Sequence, residues 1–425
     1  MSHADPAPRS LVTLPLCTVL HTCTHAYGSM LVPLYILMQK DLRLPGVQYA
    51  ALIVTVYGVV YNACGFAAGI LADRLNRRNL LGGGLVVNAL AIGLMGLTRR
   101  YEILIALAVL AGLGGTLFHP AANALIPAHF PKSPGMAIGL LGIGSGLGFF
   151  IGPQYAGWSA VHGSWHFASV ASWQRPCVEL GAAGLVLGLL FLAIAREAPG
   201  NHHARPLPRP LGRRLRWNVI AIALTLGCRD FAGLASVSLT GIYLLKSQGR
   251  DAASAGLIVG SMMLMGVWAN PIAVWISPGR RRLPMLAAFL VLAGAMLCTV
   301  PWFSRASVLA VLCVFQAFHM GTYAISDAAV LERVAAPLRG RVVGLFLMLA
   351  GTAAGASPWV MGFWTDRLGP RAFEQAAYSP AFITLGAVMA LASVSTFLIA
   401  RLGQPQLGAI EPITEITPAT MEAVM

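Results

Sequence analysis

The chain has 425 residues, of which 57% are hydrophobic and only 10% are charged, whereas an average soluble domain has about 25% charged residues. This composition excludes a soluble globular protein and indicates a polytopic membrane protein. The formal net charge of +14 would suit a nucleic-acid partner, but the basic residues lie in short loops between apolar segments. They form no basic stripe interleaved with aromatic residues, so we expect the lipid bilayer as a partner and no nucleic acid.

Apolar segments long enough to cross a bilayer, about 20 residues or more, occur twelve times. They lie at 10–37, 46–72, 79–98, 101–128, 134–158, 177–195, 217–245, 252–276, 283–302, 306–331, 340–364 and 379–401. The sequence therefore predicts an all-α polytopic membrane protein with twelve transmembrane helices. We divide it into an N-terminal six-helix half at 1–196, a Pro- and Arg-rich cytoplasmic linker at 197–216, a C-terminal half at 217–402 and a polar, disordered cytoplasmic tail at 403–425.

The second half repeats the first at a fixed offset of 205 residues, without a gap. The matching pairs are Gly135 and Gly340, Gly139 and Gly344, Leu140 and Leu345, Gly146 and Gly351, Pro153 and Pro358, and Gly157 and Gly362. Such a repeat predicts two pseudo-symmetric six-helix halves, an organisation known in transporters.

The distribution of Lys and Arg predicts the orientation of the chain. With the N-terminus placed in the cytoplasm, 18 of the 29 basic residues fall in cytoplasmic segments and 10 in outer loops. We therefore expect both termini in the cytoplasm and, since the chain shows no targeting segment, a multi-pass protein of a bacterial cytoplasmic (inner) membrane.

The fifth span is apolar and unusually rich in glycine. Glycines are costly in a soluble helix, but in a membrane helix they let a neighbouring backbone come close. Their spacing, with Gly139, Gly148, Gly152-Pro153 and Ala156-Gly157, resembles the antiporter motif of the major facilitator superfamily, which has a second glycine in place of Ala156. The alternative is simple close packing of a membrane helix.

The loop between the second and third spans resembles the loop signature of the same superfamily. Its residues are Gly69, Asp73, Arg74, Arg77 and Arg78, with Asn76 in place of a second glycine. The resemblance implies a conformational latch in which Asp73 accepts hydrogen bonds from the N-terminus of a helix. Gly69 would let a neighbouring helix approach. The corresponding loop of the second half, Ser277–Arg282, lacks the aspartate, so we expect a single latch.

The sequence Phe118-His119-Pro120 in the fourth span and the glycine-rich fifth span resemble the fosmidomycin-resistance branch of this superfamily. Leu331-Glu332 and Asp366 match the same branch in the second half. Two departures put proton coupling in doubt. The branch has a histidine and an acidic residue four apart in its first helix, where this chain has two histidines. Many superfamily antiporters also have an arginine in the fourth helix, which this chain lacks.

Ionisable residues inside membrane spans are expensive and are functional candidates by default. Our candidates for the substrate and proton pathway are His21, His25, His119, Arg229, Asp230, His319, Tyr323 and Asp327. We expect Arg229 to offer a positive charge to an anionic substrate group, while Asp230 with His25 or His21 carries a proton. The alternative is that Arg229 and Asp230 neutralise each other and hold helices together. For His119 the alternative is a hydrogen bond to a carbonyl freed by Pro120.

Weaker candidates for lining the cavity are Tyr57, Tyr61, Asn62, Trp268, Asn270 and Gln316. His21 and His25 share a helix face and could hold a metal, but no carboxylate accompanies them. The seven cysteines show no metal or disulfide spacing. We therefore predict no metal, no cofactor and no enzyme activity.

The resemblance implies a secondary active transporter that moves a small organic, anionic or amphiphilic molecule by alternating access. We expect a monomer that works by proton-coupled efflux. Two alternatives stay open: proton-linked uptake of an organic acid or metabolite, and a non-transporting membrane scaffold or assembly factor on the same fold.

Overall fold

The computed structural model describes residues 8–130, 133–165, 170–197, 211–335 and 338–402. Every regular element within these ranges is a helix. The spans are α1 (Pro8–Ser29), α2 (Val47–Ala63 and Gly65–Arg74), α3 (Arg77–Met95), α4 (Tyr101–Thr116 and Phe118–His129), α5 (Pro134–His162), α6 (Arg175–Ile194), α7 (Arg213–Lys246), α8 (Ala252–Ile276), α9 (Arg282–Thr299), α10 (Val308–Leu331), α11 (Arg339–Phe346 to Ser357–Arg367) and α12 (Ser379–Leu391 and Ser395–Ala400).

The predicted all-α membrane fold is confirmed. Among the described residues, ten helices are long and apolar enough to cross a membrane by themselves, and α2, which bends by 47°, makes eleven. The remaining span is α1, whose 22 residues include several threonines and two histidines. It packs along α5 as part of the same bundle, so its polar residues face other helices.

The boundary of the predicted linker differs at its C-terminal side. The helix α7 begins at Arg213, four residues before the predicted start of the C-terminal half at 217. Residues 198–210 and the tail 403–425 lie outside the described residues, so the prediction for them is not tested.

Close packing of α1 against α5 explains two glycines of the fifth span. A side-chain carbon added at Gly148 would collide with the carbonyl oxygen of Thr22, and one added at Gly152 would lie 2.5 Å from the carbonyl oxygen of Ala26. Small residues give membrane helices this close approach. Gly139, in contrast, has nothing within 4 Å, so it has no packing role in this conformation.

The last part of the antiporter-like pattern faces α8 instead. A methyl group at Gly157 would collide with the carbonyl of Ala252, and one at Gly256 would collide with the carbonyl of Pro153. Ala156, which stands where the resemblance has glycine, is fully buried, so its methyl group is accommodated. One helix therefore uses its glycines against α1 at one place and against the second half at another.

We expect Gly148→Ala to destabilise the protein by about 1–3 kcal/mol, the usual cost of forcing an extra carbon into a packed contact. Gly139→Ala is the matched control, since its new methyl group meets open space. The measurement is the thermal unfolding of both variants in detergent. Equal melting temperatures would contradict the packing between α1 and α5.

The first and second halves of the chain are in contact at one end of the bundle, which we call the Asp366 end. There Gly362 approaches the backbone of Gln48, and further along α2 Gly355 approaches Gly58. The opposite end, which carries the loop between α2 and α3, we call the Asp73 end. The predicted orientation would place the Asp73 end in the cytoplasm.

The repeat-related spans α5 and α11 differ in local geometry. While α5 is continuous from Pro134 to His162, α11 contains a π-helical turn at Leu347–Gly351. The turn ends at Gly351, where an added side-chain carbon would collide with the side chain of Asn62. Single π turns often mark functional positions, and this one lies where α11 meets α2.

Candidate functional site

A charged cluster links α7 and α10. The Nε atom of Arg229 donates a hydrogen bond to the Oδ1 atom of Asp230 at 2.7 Å, and its Nη1 atom donates to the Oγ atom of Ser326 at 2.9 Å. The guanidinium group stacks over the ring of Tyr323, with 3.8 Å between its central carbon and the ring centroid. Arg229 is therefore held on three sides by neutralising or polar groups.

The charges of this cluster differ in their access to solvent. The side chain of Arg229 is 1% exposed and that of Asp230 is 12% exposed, while Asp327, one helical turn beyond Tyr323, is exposed. Asp327 also interacts electrostatically with Arg229. The cluster thus presents carboxylates outwards and keeps its positive charge behind them.

His319 extends the cluster along α10. Its ring meets that of Tyr323 edge-on at 5.4 Å between centroids and stacks on Phe315 at 5.6 Å. The ring also fills the space beside Gly233 of α7. Its Nε2 atom is buried and has no hydrogen-bond partner among the described residues. His319 and Tyr323, which we expected on one helix face together with Asp327, are therefore in contact.

A second cluster joins α1 and α4. The Nε2 atoms of His21 and His25 lie 3.0 Å apart, which agrees with their predicted common helix face. The ring of His119 lies 5.1 Å from that of His21 and 5.5 Å from that of His25, between centroids. His119 makes no hydrogen bond within the described chain, so the expected bond to a carbonyl freed by Pro120 is not formed there.

The two clusters lie on different halves of the chain. No hydrogen bond, ion pair or ring contact within the described residues joins His25 to Asp230, which the repeat relates to each other. Any proton exchange between them would need an intermediary, so the paired role expected from the repeat has no direct contact to support it in this conformation.

The weaker candidates for lining the cavity occupy varied environments. Tyr57 is 8% exposed, and its hydroxyl donates to the carbonyl of Thr24. Gln316 is fully buried beside His319, whereas Trp268 is 65% exposed. Tyr61, Asn62 and Asn270 are half-buried.

The predicted latch is not engaged in this conformation. Asp73 and Arg74 are exposed, and Asp73 bonds to no residue that the structure describes. A side-chain carbon added at Gly69 would have nothing within 4 Å, so no neighbouring helix packs against this glycine in this conformation. The latch stays a prediction for another arrangement of the halves.

The rest of the loop is tied to its own half. The Oδ1 atom of Asn76 accepts the backbone N–H of Asn79 at 2.9 Å, so Asn76 caps the N-terminus of α3, a position that favours asparagine. Arg77 donates to the carbonyl of Ala72, and the backbone N–H of Arg78 donates to Glu197. The corresponding loop of the second half, Ser277–Arg282, has no aspartate, and its Arg282 pairs with Glu332.

A contact that the sequence did not predict lies at the Asp366 end. The carboxylate of Asp366 on α11 accepts the backbone N–H groups of Val47 and Gln48, both at 2.9 Å, at the N-terminus of α2. The Nζ atom of Lys246 lies 3.8 Å from the same carboxylate. No sequence signal pairs Asp366 with α2, because the two positions lie more than 300 residues apart.

These features describe a polytopic helical membrane protein that carries charged groups between two sets of helices. The sequence profile of the Major Facilitator Superfamily matches residues 17–243 and 223–422, so the chain belongs to this superfamily of transporters. It is 24% identical to the uncharacterized MFS-type transporter YceJ of Bacillus subtilis over 349 residues, which is 79% of this chain and 84% of YceJ.

One further relative and one solved structure are similar to this chain. It is 26% identical to the multidrug resistance protein MdtH of Salmonella typhi, over 73% of this chain and 75% of MdtH. The crystal structure of a bacterial homologue of the human lysosomal transporter Spinster, in an inward-facing and unoccupied conformation, covers 94% of this chain and 98% of its own at a TM-score of 0.79 and 16% identity. That likeness shows the fold. The resemblance to the fosmidomycin-resistance branch stays a prediction.

Proposed function

We propose that this chain is a proton-coupled exporter of small amphiphilic organic molecules, in which substrate and proton compete for Asp230 and Asp327. The observation that carries the proposal is the placement of charge between α7 and α10. Arg229 is buried and paired, while Asp327 is exposed. A mobile proton or substrate therefore meets carboxylates first.

The charge balance of the cluster supplies the coupling. With both carboxylates ionised, Arg229 compensates only one of them, and one negative charge is left in a partly buried site. A proton removes that charge, and a cationic or hydrogen-bond-donating substrate group offsets it. The proton and the substrate each neutralise the same negative charge, so binding of one lowers the affinity for the other. This is the reciprocal coupling of an antiporter.

Uptake of an organic acid is the second candidate, and Arg229 is the observation that favours it. An anionic group would reach the guanidinium of Arg229 only after Asp230 had taken up a proton, because protonation breaks the ion pair between Asp230 and Arg229. Proton and anion would then bind together and travel in the same direction. The charge of the substrate therefore separates the two candidates: exchange suits a cationic or neutral amphiphile, and joint movement suits an anion.

The conformation supports alternating access. Asp366 joins the halves at one end, while Asp73 at the other end is exposed and forms no hydrogen bond or ion pair with a described residue. With the Asp73 end in the cytoplasm of a bacterial cell, and both termini on that side, this is an inward-facing monomer in the inner membrane. The naming of a relative as a multidrug resistance protein also favours export.

The test uses inside-out vesicles with an imposed proton gradient, acidic inside. Pools of cationic, neutral and anionic amphiphiles are screened for dissipation of the gradient by the native protein, Asp327→Asn and Asp230→Asn. Glu374→Gln is the control, because its carboxylate is exposed and pairs with Arg371 in the same loop.

We expect a cationic or neutral pool to dissipate the gradient with the native protein and with Glu374→Gln. With either aspartate variant, the rate of dissipation should fall at least about tenfold. Dissipation that both aspartate variants retain would remove these residues from the proton path. Proton movement together with an anionic pool would establish uptake. A folded protein that responds to no pool would favour the scaffold alternative.

A further inference from the structure

We propose that His21, His25 and His119 form a binding site for a borderline transition-metal dication, with Zn²⁺ as the representative ion. The site lies on α1 and α4, away from the Arg229 cluster, and it does not depend on the proposed transport activity. One ligand nitrogen from each histidine lies within 4.8 Å of the others.

The spacing of the nitrogens is close to that of a metal site. Zinc binds imidazole nitrogen at about 2.0–2.1 Å, so two ligands at a tetrahedral angle lie about 3.3 Å apart. The Nε2 atoms of His21 and His25 are 3.0 Å apart, which needs a change of only a few tenths of an ångström. His119 would complete the set by a larger rotation of its side chain.

Neighbouring groups already orient two of the three imidazoles. The Nδ1 atom of His21 lies 2.8 Å from the carbonyl oxygen of Leu141 on α5, and only a protonated nitrogen can donate to it. The Nε2 atom of His21 then carries a lone pair directed at His25, so the Nε2–H group of His25 donates the hydrogen bond between the two rings. When a metal binds, this proton would move to the Nδ1 atom of His25 or leave to solvent, because a ligating nitrogen must be unprotonated. A histidine that donates its other nitrogen to a carbonyl is the usual arrangement of a metal ligand.

Aromatic packing restricts the same rings. Phe118 stacks on His21 at 4.7 Å between centroids with 13° between planes, and Phe149 lies 4.5 Å from His25. Rings that are held in place lose little freedom when they bind an ion, so the site is partly preorganised.

Two polar groups beside the cluster lack partners. The buried hydroxyl of Tyr61 has no hydrogen-bond partner among the described residues, and the half-buried His119 beside it forms no hydrogen bond with them. Their rings lie 6.2 Å apart between centroids. An unsatisfied buried polar group costs roughly 1–3 kcal/mol. An ion bound by His119, with a water in its fourth position, would satisfy the imidazole directly and offer the hydroxyl a partner.

The ligand chemistry selects the class of ion. Three imidazoles without a carboxylate suit Zn²⁺, Cu²⁺ or Ni²⁺, whereas Mg²⁺ and Ca²⁺ prefer oxygen ligands. Three protein ligands also leave a fourth position open to water or to a chelating molecule. The site therefore differs in both charge and chemistry from the carboxylate pair of α7 and α10.

The experiment measures Zn²⁺ bound by the full chain in detergent, purified without a polyhistidine tag and stripped with a chelator. His202 and His203 are replaced by alanine in every sample, because adjacent histidines also bind metals. The variants are His25→Ala and His119→Gln. The controls are His162→Ala, which lies at an exposed helix end, and His319→Ala, which removes a buried histidine of the other cluster.

We expect about one Zn²⁺ per chain, with affinity reduced at least about 100-fold by either variant, since loss of even an outer-shell partner costs about 10–100-fold. Zn²⁺ should raise the melting temperature of the controls but not of the variants. X-ray absorption should show nitrogen or oxygen ligands at about 2.0–2.1 Å. Equal affinity in His25→Ala, His119→Gln and the controls, or no stoichiometric binding, would overturn the proposal. Neither result bears on the vesicle test, because the binding measurement uses no gradient.

Discussion

Replacing Asp230 by alanine should lower the free energy of unfolding by about 3–5 kcal/mol, because Arg229 would stay buried without its counter-charge. Arg229→Met should cost less, since Asp230 is 12% exposed and a lone carboxylate can take up a proton. The double variant Arg229→Met/Asp230→Ala should recover most of the loss, because it removes both charges. The measurement is a double-mutant cycle of unfolding in detergent.

A surface ion pair provides the control for this cycle. Arg371 and Glu374 are 3.7 Å apart, with side chains 68% and 61% exposed, and their coupling should be less than about 1 kcal/mol. If the double variant Arg229→Met/Asp230→Ala loses as much stability as the two single losses added together, the two residues are not coupled.

The same variants show whether Arg229 and Asp230 have a structural role or a role in transport. If the pair only holds α7 and α10 together, the stable double variant should still transport. If it carries the proton and orients the substrate, the double variant should be folded and inactive in the vesicle test. We expect the second result, because the carboxylates of this cluster are the accessible groups and the arginine is not.

Asp366→Asn should shift the conformational equilibrium away from the arrangement closed at the Asp366 end. The carboxylate accepts two charge-assisted hydrogen bonds from the N-terminus of α2, where the helix dipole also favours an anion. The loss of that charge should cost about 2–3 kcal/mol, which corresponds to a change of roughly 30- to 150-fold in the ratio of the two states.

Spin labels at Glu102→Cys and Arg371→Cys, in a cysteine-free background, report this shift as a longer distance between the two halves. Asp41→Asn is the control, because Asp41 bonds Arg99 and Trp173 of its own half. A distance distribution that Asp366→Asn leaves unchanged would show that glycine contacts alone, such as that of Gly157, close this end.

The sequence by itself determined what depends on local composition and on short spacings. Apolar length located eleven of the twelve spans to within about four residues at each end, because the bilayer imposes a minimum length on each helix; the first helix ends at Ser29, eight residues before the predicted 37. A separation of four residues placed His21 beside His25, since such positions share a helix face. The glycine spacing correctly marked a helix that packs closely, although it did not show which neighbour each glycine meets.

Only the tertiary structure decided which distant residues meet. His119 joins His21 and His25 from another helix, and Asp366 reaches the start of α2 from the far end of the chain. It also decided that Arg229 is buried behind its carboxylates. An incoming molecule therefore meets a carboxylate first, whereas the sequence led us to expect the arginine. The physical reason is that helix periodicity fixes which side of a span a residue occupies, whereas the neighbour on that side is set by how the helices pack around one another.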